Sequence, residues 1–257
     1  LEHPLSKVRE RGKSSKLAGE VGVEMLECIR RFHEMGYIHR DIKPSNFCVP
    51  SDRSRPFECR ILDFGISRKH IEKGKVRPQR ESVGFCGCVI YASPQAHEDR
   101  ELSRRDDLWS LFNVVVILSE TVPWISEEAR KDRDLTYQMK KAFLERKDGT
   151  KYFERYPMML EFKKHLDSLD YEDKPNYDLV KDSLLALAQT NPPHPSSSSP
   201  HPSAAAAAPP VIAVAEIDAS STPPASSSLL SGYPPSPPSP SYEIAQEEEE
   251  EEEEEEE

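Results

Sequence analysis

Leu17, Val21, Met25, Ile29 and Phe32 recur at three- and four-residue spacing near the start of the chain. That spacing places them on one face of a helix, and Gly36 stands where a C-terminal cap is expected. The pattern then shortens. Two apolar pieces, "FCV" at 47–49 and "CRIL" at 59–62, have the length of strands and predict a small hairpin. From 63 to about 92 no period is sustained, which predicts a long loop rich in glycine and basic residues. The run "LWSLFNVVVIL" at 108–118 is apolar on every side and predicts a buried helix within roughly 103–121. It is far too short for the roughly 20 residues that cross a bilayer. Helical stretches are also expected at 127–146, 157–168 and 175–188, with Pro157 and Pro175 in the first turns of the last two. The front of the chain therefore predicts a mainly α fold with one short β-hairpin.

Composition changes near residue 191. Residues 1–191 mix apolar and charged positions as a folded domain does. From 192 to 257 the chain is Pro, Ser and Ala and ends in eleven consecutive Glu. Such a segment buries too little apolar surface to offset its ordering entropy, so it is expected to be disordered. The net charge of −12 belongs to this tail, which holds 14 of the 46 acidic residues and no Lys or Arg. The first 192 residues carry 34 basic and 32 acidic groups, a balance that points to neither nucleic acid nor a membrane surface. Five cysteines without zinc spacing, and no targeting segment in view, suggest an intracellular protein of the cytoplasm or nucleus.

The chemistry concentrates in "YIHRDIKPSNF", residues 37–47. Arg40, Asp41, Lys43 and Asn46 lie within seven positions, a poor recipe for a core. Asp41 can accept or orient a hydroxyl proton. Lys43 is a compact cation suited to a phosphoryl oxygen. Asn46 offers a hard oxygen for Mg²⁺, and Arg40 can grip an anion with two hydrogen bonds. Sixteen intervening residues later comes "DFG", where Asp63 supplies a second hard ligand beside the flexible Gly65. A base, a cation and two Mg²⁺ ligands are the parts that phosphoryl transfer from ATP needs.

"HRDIKPSN" followed by "DFG" resembles the catalytic loop and metal-binding motif of protein serine/threonine kinases. "ILDFGISR", "VGFCGCVIYAS", "RRDDLWSLF" and "SLDYEDKPNYDLV" narrow the resemblance to the casein kinase 1 superfamily, nearest its tau-tubulin kinases, over residues 1–188. The resemblance implies a kinase C-terminal lobe in which Asp41 is the catalytic base and Lys43 contacts the transferred phosphate. It makes Asn46 and Asp63 the Mg²⁺ ligands, His39 and Arg40 braces of the loop, and Asp107 the buried anchor of the loop backbone. It also implies protein substrates, possible cytoskeletal ones among them.

Two features cut against activity. No Gly-x-Gly-x-x-Gly occurs in the chain and no VAIK-like strand precedes the motif, so the ATP-clamping N-terminal lobe is expected to be absent. Where relatives carry a threonine and an arginine, this chain has Cys88 and Ile90; a thiol is the weaker hydrogen-bonding group. The alternative reading is thus an inactive pseudokinase or binding scaffold. The loop "RKHIEKGKVRPQR" at 68–80 holds six Lys or Arg, and Arg77 and Arg80 are candidates for an anion pocket. The Glu run, on a linker that spans roughly 40 Å, is a candidate partner for that loop. "PPSPPSP" at 234–240 is a candidate ligand for a proline-recognition domain.

Overall fold

The computed structural model describes residues 2–4, 13–50, 59–81, 83–145 and 147–190, with backbone alone at 2–4, 49–50 and 147–150. The chain divides into units Leu1–Ser198 and Ser199–Glu257, and every described residue belongs to the first. The Pro/Ser/Ala and poly-Glu tail lies outside the described residues, as do the expectations of its disorder and of its partners.

Helix α1 spans Ser15–Glu34. The Ser14 hydroxyl accepts from Leu17 N and so satisfies one of the free amides of the first turn. Val21, Met25, Ile29 and Phe32 are buried as their spacing predicts, and Gly36 leaves the helix at φ +89°. Helix α3, Arg104–Ser119, is buried along its whole length. That is why its apolar residues show no sidedness: it has no solvent face. α1 packs against α3 on one side and against α8, Tyr177–Gln189, on another. This three-helix arrangement is the frame on which the loops sit.

Strands β3, Phe47–Pro50, and β4, Arg60–Ile61, form the expected hairpin, pairing Phe47 with Ile61 and Cys48 with Arg60. Strand β1, Glu2–Pro4, adds a third, antiparallel member that the short apolar pieces did not announce. The expected long loop contains more order than its composition suggests. β2, Tyr37–Ile38, pairs with β5, Arg68–Lys69, and a two-residue ladder joins β6, Ile71–Glu72, to β7, Lys75–Val76. These pairings are held by backbone bonds, so side-chain patterning carries no trace of them. A short helix α2, Pro94–His97, follows, capped by Ser93.

The helical expectations need three corrections. The stretch 127–146 is two helices, α4 at Glu127–Lys131 and α5 at Arg133–Glu145. Asp132 breaks it by taking extended backbone and accepting from Leu135 N at 3.0 Å, which starts a new helix. A further helix, α6 at Lys147–Arg155, precedes α7 at Pro157–Asp167. Pro175 is not in the first turn of α8: Asn176 caps that helix by accepting from Leu179 N, so Pro175 stands outside it.

Candidate active site

The turn between β2 and β3 carries the motif residues. Its shape is imposed from below by Asp107, near the start of α3, whose side chain is 2% exposed. One carboxylate oxygen accepts from His39 N at 2.7 Å, and the other accepts from Arg40 N at 2.8 Å. His33 Nε2 on α1 lies 2.9 Å from the first oxygen, and His33 Nδ1 lies 2.8 Å from the Tyr177 hydroxyl on α8. Burial opposes the charge on Asp107, but the His33 contact and the His39 amide outweigh it and hold its pKa below the ordinary carboxylate value. Burial pushes the Tyr177 hydroxyl up, so it remains a donor. Three helices thus meet at one anion, and that anion fixes Arg40 at φ +68°, a conformation few non-glycine residues hold.

Above this anchor, Lys43 Nζ donates to Asp41 Oδ2 at 2.5 Å. Asn46 Nδ2 donates to the Asp41 carbonyl at 2.9 Å and to Oδ2 at 3.2 Å. Partial burial works against the Lys43 ammonium, yet the hydrogen bond and charge of Asp41 raise its pKa, with Asp63 adding to the effect. Asp41 Oδ1 is buried and has no hydrogen-bond partner among the described residues. A carboxylate with one oxygen clamped and the other free is oriented to accept a proton from something else.

The hairpin brings Asp63 back to this turn. Leu62 N donates to the Asn46 carbonyl at 2.8 Å, and the Leu62 carbonyl lies 3.0 Å from His39 Nε2. Asp63 is exposed and sits at φ +62°. Gly65 N approaches its Oδ1 at 3.4 Å, a weak contact. Phe64 stacks on Phe32 with centroids 5.2 Å apart, and Arg40 Nε donates to the Ile66 carbonyl at 2.6 Å. His39 and Arg40 therefore brace the segment after Asp63 as well as the turn itself. Asn46, just before β3, and Asp63, just after β4, flank the same end of the hairpin and carry hard oxygens, a donor set that fits Mg²⁺.

The segment after Gly84 closes the site. At Gly87, φ is +100°, and an added Cβ would stand 2.4 Å from the Arg40 carbonyl. Only glycine allows that approach. It sets Cys86 and Cys88 beside Arg40 and Asp41 around a cavity of about 10 Å³. Lys140 on α5 donates to the carbonyls of Val89 at 2.8 Å and Ala92 at 2.9 Å. Asn113 on α3 donates to those of Tyr91 at 3.0 Å and Ala92 at 3.2 Å. Burial pulls the Lys140 ammonium well below its ordinary pKa.

Arg77 and Arg80 do not converge. Arg80 grips the buried carboxylate of Glu101 with bonds of 2.5 and 3.3 Å, and Arg68 stands 3.7 Å from the same group. Arg77 lies 3.9 Å from Glu72. The expected anion pocket is thus occupied, at Arg80, by the protein's own Glu101. His33, Tyr177, Glu101, Lys140 and Gly87 were not singled out by sequence. Only Gly87 left a signal, as a glycine between two cysteines in "VGFCGCVIYAS".

The comparison with known families decides the assignment: the model of the protein kinase domain matches residues 2–185. The chain belongs to the protein kinase family. A probable serine/threonine-protein kinase of Dictyostelium discoideum is 41% identical over 160 residues, covering 62% of this chain and 31% of that protein. The serine/threonine-protein kinase spe-6 of Caenorhabditis elegans is 31% identical over 184 residues, covering 70% of this chain and 48% of the relative. A probable casein kinase I homolog of Encephalitozoon cuniculi is 30% identical over 185 residues, covering 69% and 56%. The chain thus spans between about a third and about half of these kinases' own lengths. No described helix is long and apolar enough to cross a membrane.

Proposed function

We propose that this chain carries the catalytic loop of a protein serine/threonine kinase that transfers the γ-phosphate of ATP to a protein hydroxyl. The observation that carries the reading is Asp41, held through Oδ2 by Lys43 and Asn46 while buried Oδ1 remains without a partner. In this reading Asp41 Oδ1 accepts the hydroxyl proton and aims the oxygen at the phosphorus. Lys43 offsets charge on the transferred group. Asn46 and Asp63 would hold Mg²⁺, which when bound neutralises phosphate oxygens. The finer assignment is to the casein kinase 1 superfamily near its tau-tubulin branch, supported by the motifs from 61 to 180 and by the casein kinase I homolog among the relatives. Cytoskeletal proteins are the substrates that this branch suggests. Five free cysteines support an intracellular location.

The 257 residues contain no Gly-x-Gly-x-x-Gly phosphate loop and no VAIK-like sequence ahead of the catalytic loop. Both are parts of the reaction, so we expect these residues alone to turn over slowly. A second reading, a pseudokinase scaffold, is supported by Cys88: the resemblance implies a threonine hydroxyl at this position, and a thiol is the weaker hydrogen-bonding group. Radiolabelled transfer from ATP–Mg²⁺ to casein separates them. The 257-residue chain, any longer form encoded by the same gene, and each with Asp63→Ala should be compared. Transfer that is lost with Asp63→Ala supports the kinase. No transfer by any folded form supports the scaffold.

A further inference from the structure

Cys28, Cys48 and Cys59 meet at one corner of the fold, beside the hairpin that links Asn46 to Asp63. Cys28 is on α1 and belongs to the buried core; Cys59, half-buried, packs against that core. Cys48 lies across the ladder from Arg60, the neighbour of Cys59. Cys28 Sγ donates to the Cys59 carbonyl at 2.9 Å. The Cys28 sulfur and Cys59, 31 residues apart, are therefore already neighbours across a helix–strand contact. Nothing in the phosphotransfer reading uses them.

We propose that Cys28 and Cys59 are a dithiol pair that hydrogen peroxide closes to a disulfide, stapling β4 to α1. The Cys28 sulfur attacks one peroxide oxygen, the O–O bond breaks, and the departing hydroxide takes a proton to leave as water. Cys28 is then a sulfenic acid. The Cys59 sulfur attacks the Cys28 sulfur, the S–O bond breaks, and that oxygen leaves as a second water with the Cys59 proton. Two electrons pass from the two thiols to the peroxide. A small oxidant is required because Cys28 is only 8% exposed. The order of events follows from the contact between the two side chains. It lowers the Cys28 pKa against the effect of burial, with Arg31 helping, and it raises the Cys59 pKa together with burial. Of the two thiols Cys28 therefore gives up its proton more readily and attacks the peroxide first. Because the Cys28 sulfur already touches Cys59 and α1 already packs against β4, the bond needs little movement of the strand. It would anchor the strand that leads through Leu62 to Asp63, whether or not the chain turns over ATP.

The test treats the full 257-residue chain with limiting hydrogen peroxide, alkylates free thiols, and maps peptides by mass spectrometry. The expected product is a Cys28–Cys59 cross-link short of two hydrogens, with Cys86 and Cys88 alkylated. Its thermal midpoint should rise by roughly 7–15 °C, as closing a loop of this length implies, and dithiothreitol should reverse the rise. Cys59→Ser, at the half-buried position, should form no cross-link and should leave Cys28 as a sulfenic acid that dimedone labels. This variant keeps the test decisive if Cys28→Ser, in the core, fails to fold. A cross-link to Cys48, a Cys28 that stays fully alkylatable, or a cross-link without a rise in midpoint would overturn the proposal.

Discussion

Replacing Asp107 tests the organisation of the site most directly. Asp107→Ala removes the acceptor for His39 N, Arg40 N and His33 Nε2, at 2.7, 2.8 and 2.9 Å. Each buried donor left unpaired costs about 1–3 kcal/mol, and breaking a buried charged network costs about 3–5. The expected loss is about 4 kcal/mol, a large share of a stability of roughly 5–15. For a domain of this size that is a midpoint lower by roughly 8–16 °C. Asp107→Asn is expected to cost about 2 kcal/mol. Its best orientation keeps oxygen facing His39 N and His33 but turns an NH₂ toward Arg40 N–H. Urea unfolding gives the order of stabilities, and hydrogen exchange should show the His39 and Arg40 amides exchanging faster in both variants. The pH dependence has a fixed sign. The folded pKa of Asp107 lies below its ordinary value of 3.8, so its contribution is complete above that value. It is lost as pH falls through the lower folded value. An Asp107→Ala protein within 1 kcal/mol of the parent, with those amides still slow, would refute the anchor argument.

Gly87→Ala should leave unfolding within about 2 kcal/mol of the parent while phosphotransfer falls at least tenfold, because the new methyl pushes on the Arg40 carbonyl; unchanged transfer counts against the close approach. Cys88→Thr should raise transfer by replacing a weak thiol with a stronger hydrogen-bonding hydroxyl in the cavity it shares with Asp41; steady-state kinetics would show an increase in kcat, and a decrease would reject the idea. His70 is 2% exposed, has no partner at either ring nitrogen among the described residues, and has its pKa lowered by burial to about 4. Its unfolded value is near 6.5, so the parent loses stability as pH falls from 6.5 toward 4. His70→Phe should keep the edge contact with Tyr171 and flatten that decline in pH-dependent thermal unfolding; an unchanged slope would assign the decline to other groups.

Local sequence determined the parts whose physics is local. The period of α1 and the all-round apolarity of α3 needed only burial of side chains along one helix. The hairpin followed from two short apolar pieces, and Asp41, Lys43, Asn46 and Asp63 stood out as candidates by type and spacing. What the chain could not announce were contacts closed between distant positions. Helix α6 and the break at Asp132 depend on capping and packing that the stretch 127–155 does not signal. The strands at 68–76 are held by backbone hydrogen bonds, to which side-chain pattern is blind. Arg80 looked like a free cation until folding set it on Glu101, 21 residues away. Asp107 gained His33 from α1, 74 residues away, and the amides of His39 and Arg40 from the motif turn, while Tyr177 of α8 reaches it only through His33. Cys28 and Cys59 became a pair only because α1 lies against β4. Residue types set what each group can do, but burial decides which partner is near enough to matter, and burial belongs to the tertiary structure.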